Sequence, residues 1–354
     1  MIAEYKHLAE SGAQLVELRA DWILRPVNLK RILAERFCPV VFTCRRERDG
    51  GKWAKTEQER LILLRTAIVE GVDYIDLEDD IAASIPRYGK TKRIISYHNF
   101  RETPENLREI HDRLSKCDPD IVKIATMAHS QHDNLRVLRM VREAKVPTIG
   151  LCMGEVGTPT RILCGRVGSP FTFATFHAER LLAPGQVTYK QMREMYRYDQ
   201  IGPETEVYGV IADPVAHSLS PCVHNAGFSA LGLNKVYVPF RVAREDLPSF
   251  LSNCREFGIK GLSVTIPHKE NVMRYLSQMD PVCKEIEAVN TIDFSGPTAV
   301  GSNTDYLAIQ QVLADAMGKP DKQKPLEGIT ALVLGAGGVA KAAAFALDSL
   351  DRKS

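Results

Sequence analysis

A chain of 354 residues, 44% of them hydrophobic, is long enough for two or three domains with substantial cores, and its near-balance of 46 basic and 44 acidic residues (net charge +2) excludes the broad positive field that nucleic acid or an anionic membrane would select. Eight scattered cysteines, none in a Cys-x-x-Cys pair, fit neither a zinc cluster nor a disulfide framework and point to a reducing compartment. No run approaches the ~20 apolar residues of a membrane span, and Met1 opens into polar helix-like sequence rather than a signal peptide, so a soluble cytoplasmic protein is expected.

After a helix at Ala3 to Ser11, short β-like runs alternate with helical ones as far as about Tyr198. The strands are read at Gln14–Arg19, Val40–Arg45, Tyr74–Glu78, Arg93–His98, Ile121–Thr126, Thr148–Cys152 and Phe171–Thr175. The intervening helices include Glu57–Glu70, Pro104–Ser115 and Asn134–Ala144. Alternation of this kind implies parallel strands joined by crossover helices, and seven such units in ~200 residues suggest a (β/α)8-type barrel. One strand is missing from that count, and the expectation is that it would lie before Met1.

Side chains alternate faces along a strand, so Glu17, Arg19 and Asp21 share one face, Asp76 and Glu78 another, and Thr43 lies with Arg45. In a parallel barrel, polar groups at strand C-terminal ends gather at the mouth, where active sites lie. Lys123 sits inside the apolar run Ile121-Val122-Lys123-Ile124-Ala125-Thr126, where desolvation favours the free amine needed for a Schiff base. His98 ends the preceding strand, within reach as a general acid or base.

A polar Gly/Pro linker, Asp199 to Glu206, opens a second domain. Strands are read at Val207–Ile211, Val236–Phe240, Gly261–Ile266 and Asn290–Asp293, and helices near Pro221–Leu231, Glu245–Phe257 and Lys269–Leu276. Ser218 and Ser220 precede a helix, where hydroxyls and amides accept a carboxylate. Thr265, Lys269, Asn290 and Asp305 add a hydroxyl, an amine, an amide and a carboxylate. Last comes Val333-Leu334-Gly335-Ala336-Gly337-Gly338-Val339-Ala340-Lys341, between β-like Ile329–Leu332 and helix-like Ala342–Leu350, a pattern suited to a pyrophosphate.

The runs Gln14–Asp21, Phe42–Arg45, Ser96–Phe100, Val122–Ala125 and Ala183-Pro184-Gly185-Gln186 resemble type I 3-dehydroquinate dehydratase in order and spacing. That resemblance implies that Lys123 forms the imine with the substrate ketone and His98 moves the protons. It further implies that Arg161 clamps the carboxylate, Gln186 closes over the ring, and Glu17, Arg19 and Arg45 hold the ring hydroxyls. Two departures stand out: Asp49 replaces a glutamate beside the histidine, one methylene shorter, and Leu182 replaces a serine in the closing loop. From about Val207 to Leu347 the chain resembles shikimate dehydrogenase. This implies Ser218 and Ser220 on the carboxylate, Thr265 and Asn290 on ring hydroxyls, and Lys269 with Asp305 as the proton-handling dyad, with Ser263 where many bacterial members carry asparagine.

Together the resemblances imply an α/β protein in three segments: residues 1–200 a dehydratase barrel lacking its first strand, 205–325 a dehydrogenase substrate domain, and 326–354 the opening strand, turn and helix of a Rossmann-like NADP domain. The implied reactions are consecutive steps of the shikimate pathway, from 3-dehydroquinate to 3-dehydroshikimate and on to shikimate with NADPH. The second activity is expected to be lost in a chain of this extent, and the first to be weak or absent. Gly335, Ala336, Gly337, Gly338 and Val339 would hold NADP(H), and the dehydratase needs no cofactor. No metal is expected, because His129 and His132 have no completing cysteines or carboxylates. The partners are small molecules, with no nucleic acid or membrane, and the sequence specifies no oligomeric state. A plastid address would require a transit peptide ahead of residue 1. The competing reading is a catalytically silent quinate- or shikimate-sensing regulator built from the same domain pair, which the presence of Lys123, His98, Lys269 and Asp305 disfavours.

Overall fold

The computed structural model describes residues 1–23, 27–176, 185–316 and 330–351. Leu182, Ala183, Pro184 and Ile329 lie outside these. The chain divides into two units, one of Met1–His129 with Asp133–Pro203, the other of Ser130–His132 with Glu204–Ser354.

In the first unit, six strands pair side by side in chain order and all parallel: β1 Val16–Arg19, β2 Val40–Thr43, β3 Tyr74–Glu78, β4 Lys92–Asn99, β5 Ile121–Met127 and β6 Thr148–Met153. Helices α1 Ile2–Glu10, α2 Leu29–Leu33, α3 Glu57–Val69, α4 Leu107–Ser115, α5 Gln131–Glu143 and α6 Thr158–Leu163 connect or flank them. The sheet is half of a (β/α)8-type barrel. Apolar side chains of one strand face, such as Ile75, Leu77, Ile95 and Ile124, pack with Leu64, Ala67 and Leu114 of α3 and α4 into one buried cluster. The opposite face carries the polar residues. α3 begins with a reciprocal cap in which Thr56 and Glu59 satisfy each other's backbone amides, and its buried positions Arg60, Leu64, Ala67 and Ile68 fall on one helical stripe.

A seventh strand does not form at Phe171–Thr175. This segment makes instead a single bridge, with Thr175 N–H donating to Val187 O at 3.0 Å and Tyr189 N–H to Thr175 O at 2.8 Å. Its aromatic and β-branched residues favour extension, but a strand requires a ladder partner, and here the Thr172 hydroxyl is held by the Arg161 carbonyl at 2.9 Å.

The second unit holds a mixed sheet of β7 Glu206–Ala212, β8 Lys235–Arg241, β9 Ile259–Val264, β10 Gln278–Met279, β11 Thr291–Asp293 and β12 Val300–Ser302, in the order β10-β12-β11-β9-β7-β8. β7 is parallel to β8 and β9, whereas β11 is antiparallel to β9 and β12. Its helices are α7 Ser220–Ala230, α8 Leu247–Asn253, α9 Pro281–Ile286, α10 Asp305–Ala316 and α11 Gly338–Asp351. Two expected helices are shorter than read: Glu245–Phe257 contracts to α8, and Lys269–Leu276 to a 3₁₀ turn at Asn271–Tyr275. Phe250 and Phe257 both pack on Phe240 (centroids 5.3 and 6.0 Å), so the chain after α8 turns to bury an aromatic instead of extending the helix. The strand expected at Ile329–Leu332 is also absent from the described part: residues 330–336 form no ladder, and Leu332 and Leu334 are 83% and 87% exposed. Apolar alternation makes a strand only where a neighbouring strand offers hydrogen bonds. Among the described residues no helix is long and apolar enough to cross a membrane.

Gly209 in β7 permits close packing of the central strands, since a Cβ there would lie 2.4 Å from Val238 O and 2.6 Å from the Phe240 ring. Gly209→Ala is therefore expected to destabilise the second unit by ~1–3 kcal/mol, read as a lower urea midpoint, and an unchanged midpoint would contradict this packing account.

Candidate active site

The parallel register of the first unit brings polar side chains from five neighbouring strands together. Arg19 is level with Thr43, Thr43 with Asp76, Asp76 with Ile94, and Ser96 with Lys123. At the same end of the sheet Glu17, Arg19, Arg45, Asp49, His98 and Lys123 line an open cleft of about 530 Å³. Arg161, Gln186, Phe100 and Phe173 complete its wall. All eight residues expected in the dehydratase site are thus in one cleft, contributed by β1, β4, β5, α6 and the loops after β2 and before residue 187.

Lys123 is 6% exposed, and its Nζ donates to Asp76 Oδ2 at 3.0 Å, with Glu17 Oε1 at 4.0 Å and the Phe173 ring centroid at 4.0 Å. Asp76 is fully enclosed: its other oxygen accepts from Ser96 Oγ at 2.6 Å and meets the Arg45 guanidinium at 2.9 Å. Burial alone would favour a neutral carboxyl, but Arg45 and Lys123 outweigh it and hold Asp76 far below the usual carboxylate range. Arg45 is completed by Glu78 at 3.1 Å and Ser96 at 2.9 Å, and Glu17 accepts from the Thr43 hydroxyl at 2.7 Å. Arg19 makes a two-pronged pair with Asp21 at 2.9 and 2.7 Å.

His98 is neutral by construction. Burial first, then the positive charges of Arg45 and Lys123, push its pKa well below 6.5. Its Nδ1 is buried with no hydrogen-bond partner, and its ring stacks on Phe100 at 6.3 Å and 15°. Asp49, the residue one methylene short, is committed instead to Arg46 Nε at 2.7 Å. Phe100 is held in turn by Gly50, whose φ of +78° and missing Cβ leave room for the ring edge. Arg161 is 2% exposed and its Nε has no partner, so a buried planar cation faces the cleft wall without a carboxylate of its own. Burial pushes it down to about 10, still charged at neutral pH.

In the second unit the expected residues converge at one end of the sheet because of strand direction. Ser218 follows β7 and Thr265 follows β9; β11 runs the other way, so Asn290, just before it, lies at the same end, as does Asp305 beyond β12. Lys269 Nζ donates to Asp305 Oδ2 at 2.6 Å, and Asn290 Nδ2 to Asp305 Oδ1 at 2.8 Å. The Ser218 hydroxyl accepts from Ser220 N–H at 3.3 Å. Of the glycine loop, Gly335 has φ +125°, Gly337 faces open space, and Gly338 begins α11 with a built Cβ only 3.4 Å from Lys269 Cδ. The loop and helix start therefore lie beside the Lys269 dyad, with Val339 half-exposed.

Sequence reasoning placed Asp76 among the polar strand ends at the mouth but gave it no partner, and it gave no role to Ser96, Phe100, Phe173 or Tyr237. Period two could have found Ser96, which shares a face with His98; Phe173 and Tyr237 had no such signal. Tyr237, 3% exposed, donates its hydroxyl to Ser263 Oγ at 2.7 Å and stacks on His224 at 4.2 Å. Among the described residues no group of three or more histidines, cysteines or carboxylates could hold a metal ion.

A half-barrel of parallel strands with an enclosed lysine and a buried histidine at its mouth places the first unit among the (β/α)8-type barrels. The chain belongs to the type I 3-dehydroquinase family, whose model matches residues 1–203, and the shikimate dehydrogenase substrate binding domain matches residues 210–292. It is 40% identical to the chloroplastic bifunctional 3-dehydroquinate dehydratase/shikimate dehydrogenase of Arabidopsis thaliana over 98% of this chain and 60% of that one. It is 34% identical to the pentafunctional AROM polypeptide of Candida glabrata over 96% of this chain and 22% of that one. The chain thus spans about three fifths and about a fifth of these relatives. The solved type I 3-dehydroquinate dehydratase of Clostridium difficile, with covalently modified comenic acid, matches 56% of this chain and 87% of its own at 27% identity and a TM-score of 0.50.

The environment of His98 has a direct consequence. A ring whose proton affinity is lowered stays neutral as pH falls through the ordinary histidine range, and charges only well below it. Its NMR ring shifts are expected to stay flat between about pH 8 and pH 6, and a midpoint at or above 6.5 would contradict the burial and charge argument.

Proposed function

We propose that residues 1–200 dehydrate 3-dehydroquinate to 3-dehydroshikimate through a Schiff base at Lys123. The observation that carries this reading is the enclosed Lys123 amine, paired to Asp76 at 3.0 Å and sharing a cleft with a neutral His98. Once Lys123 has given up its proton, Nζ adds to the substrate ketone, and loss of water leaves an iminium. His98 then takes the α-proton, the C–H electron pair flowing into the C=N⁺ bond to give an enamine. The enamine expels the β-hydroxyl, which leaves as water with the proton returned by His98, and hydrolysis of the remaining iminium frees Lys123. Arg161, a buried cation with a free donor, binds the substrate carboxylate, Glu17, Arg19 and Arg45 hold ring hydroxyls, and Gln186 closes the cleft. Asp49, held by Arg46, would steady His98 more loosely than a glutamate.

Residues 205–325 are the partner substrate domain, binding 3-dehydroshikimate or shikimate through Ser218 and Ser220 at the carboxylate and through Thr265 and Asn290 at the ring. Lys269, oriented by Asp305, would pass a proton to or from the ring oxygen. Residues 326–354 open an NADP(H) domain. Gly335, Ala336, Gly337, Gly338 and Val339 fit a pyrophosphate, given the left-handed Gly335 and the open space at Gly337 before α11. When bound, that cofactor supplies the hydride. Eight free thiols support a reducing aqueous compartment, cytoplasm or plastid.

Borohydride with 3-dehydroquinate is expected to attach the reduced adduct to the Lys123 peptide, detected by mass spectrometry and lost in Lys123→Ala. No adduct in the unaltered chain would leave the ligand-sensing reading. Asp49→Glu, restoring a reach toward His98, is expected to speed labelling about five-fold if one hydrogen bond of ~1 kcal/mol is gained; slower labelling would show that the Arg46 pair matters more. In calorimetry, Ser218→Ala with Ser220→Ala is expected to weaken shikimate binding about ten-fold, whereas an equal Kd would remove the two serines from the carboxylate site.

A further inference from the structure

Arg60 brings a positive charge into the wall behind the dehydratase cleft without being part of its lining. Its guanidinium is fully buried on α3. Nε and Nη2 donate to the two oxygens of Glu57 at 2.9 and 2.7 Å, and Nη1 donates to Cys44 O at 2.7 Å and to Glu78 Oε2 at 2.9 Å. Glu78 offers its other oxygen to Arg45 at 3.1 Å, Arg45 meets Asp76 at 2.9 Å, and Asp76 holds the Lys123 ammonium at 3.0 Å. Five groups of alternating charge therefore run without a gap from a helix to the reacting amine. An apolar side chain of similar volume would fill the Arg60 site without the desolvation cost of a buried cation, so packing does not account for an arginine there. Orientation of Glu78 does, because a carboxylate held at both oxygens can present only one edge to Arg45.

We propose that Arg60 is a positioning residue for the Schiff-base lysine: by holding Glu78 it keeps Arg45 against Asp76, and so sets how firmly Asp76 grips the amine. The inference rests on the reading of Lys123 as the imine-forming residue. Lys123 is faced by Asp76 from β3, Glu17 and Arg19 from β1, Arg45 from the end of β2, His98 from β4 and the uncharged Phe173 ring. Without Arg60, Glu78 turns more fully to Arg45 and draws it from Asp76. Asp76 is then left to Lys123 and grips its ammonium more tightly. Neutralising Glu57, which is partly exposed on α3, acts in the opposite sense, since Glu78 is then the carboxylate left to Arg60.

The test is the rate of borohydride labelling of Lys123 in the full chain with saturating 3-dehydroquinate, from about pH 6 to pH 10, for Arg60→Met, Arg60→Lys and Glu57→Gln. The pH profile of labelling in the unaltered chain is the reference. Its midpoint is expected to move up by about one pH unit in Arg60→Met, a roughly ten-fold loss of rate on its acid side, by less in Arg60→Lys, and down in Glu57→Gln. If Arg60→Met does not fold, the other two variants decide by the same midpoint. An unmoved midpoint in the folded variants, with labelling intact in the unaltered chain, overturns this inference alone. Absence of labelling in the unaltered chain overturns the Lys123 reading and this inference with it.

Discussion

The ion pair between Lys123 and Asp76 is the constraint on which the first unit turns. Two charges withdrawn from water cost several kcal/mol each before their attraction is counted, and the balance is restored only if every remaining donor and acceptor finds a partner. Asp76 meets that demand through Ser96 and Arg45, Arg45 through Glu78, and Glu78 through Arg60. The polar network behind the cleft is in this sense one object, and removing any member shifts the load onto the partners of its neighbours. His98 follows from the same network, since burial first, and then the cations that stabilise Asp76, keep its imidazole neutral.

Burying such a network beside an apolar cluster is feasible because a parallel strand separates its two faces. Ile75 and Leu77 enter the core with α3 and α4 while Asp76 and Glu78, between and beyond them, meet Lys123 and Arg45 on the other face. Register then converts separate dipeptides into a site: Ser96 level with Lys123, and Thr43 with Asp76. The second unit reaches a comparable result with antiparallel pairing. The reversal at β11 returns Asn290 to the end of the sheet where β7 and β9 deliver Ser218 and Thr265, and Asp305 is anchored there from both sides by Lys269 and Asn290.

The departures from expectation share a cause. Phe171–Thr175 and the residues before Gly335 have strand-like composition, yet one makes a lone bridge and the other no ladder. Composition measures the preference of a residue for an extended backbone; a strand also requires a neighbour to accept its hydrogen bonds, which no local window contains. The histidine shows the same limit. That Asp49 is shorter than a glutamate is legible in the chain, but that Arg46 occupies it, leaving His98 Nδ1 without a partner and stacked on Phe100, is not.

The sequence by itself determined the alternation of strands and helices, the polar strand ends, the lysine within an apolar run and the glycines before a helix, because each rests on periodicity or on backbone freedom within a few residues. Only the tertiary structure decided that Asp76 would hold Lys123, that Arg60 would stand behind Glu78, and that Tyr237 would meet Ser263. Those contacts join residues tens of positions apart, and their strength comes from burial, a property that arises only when the whole core closes around them.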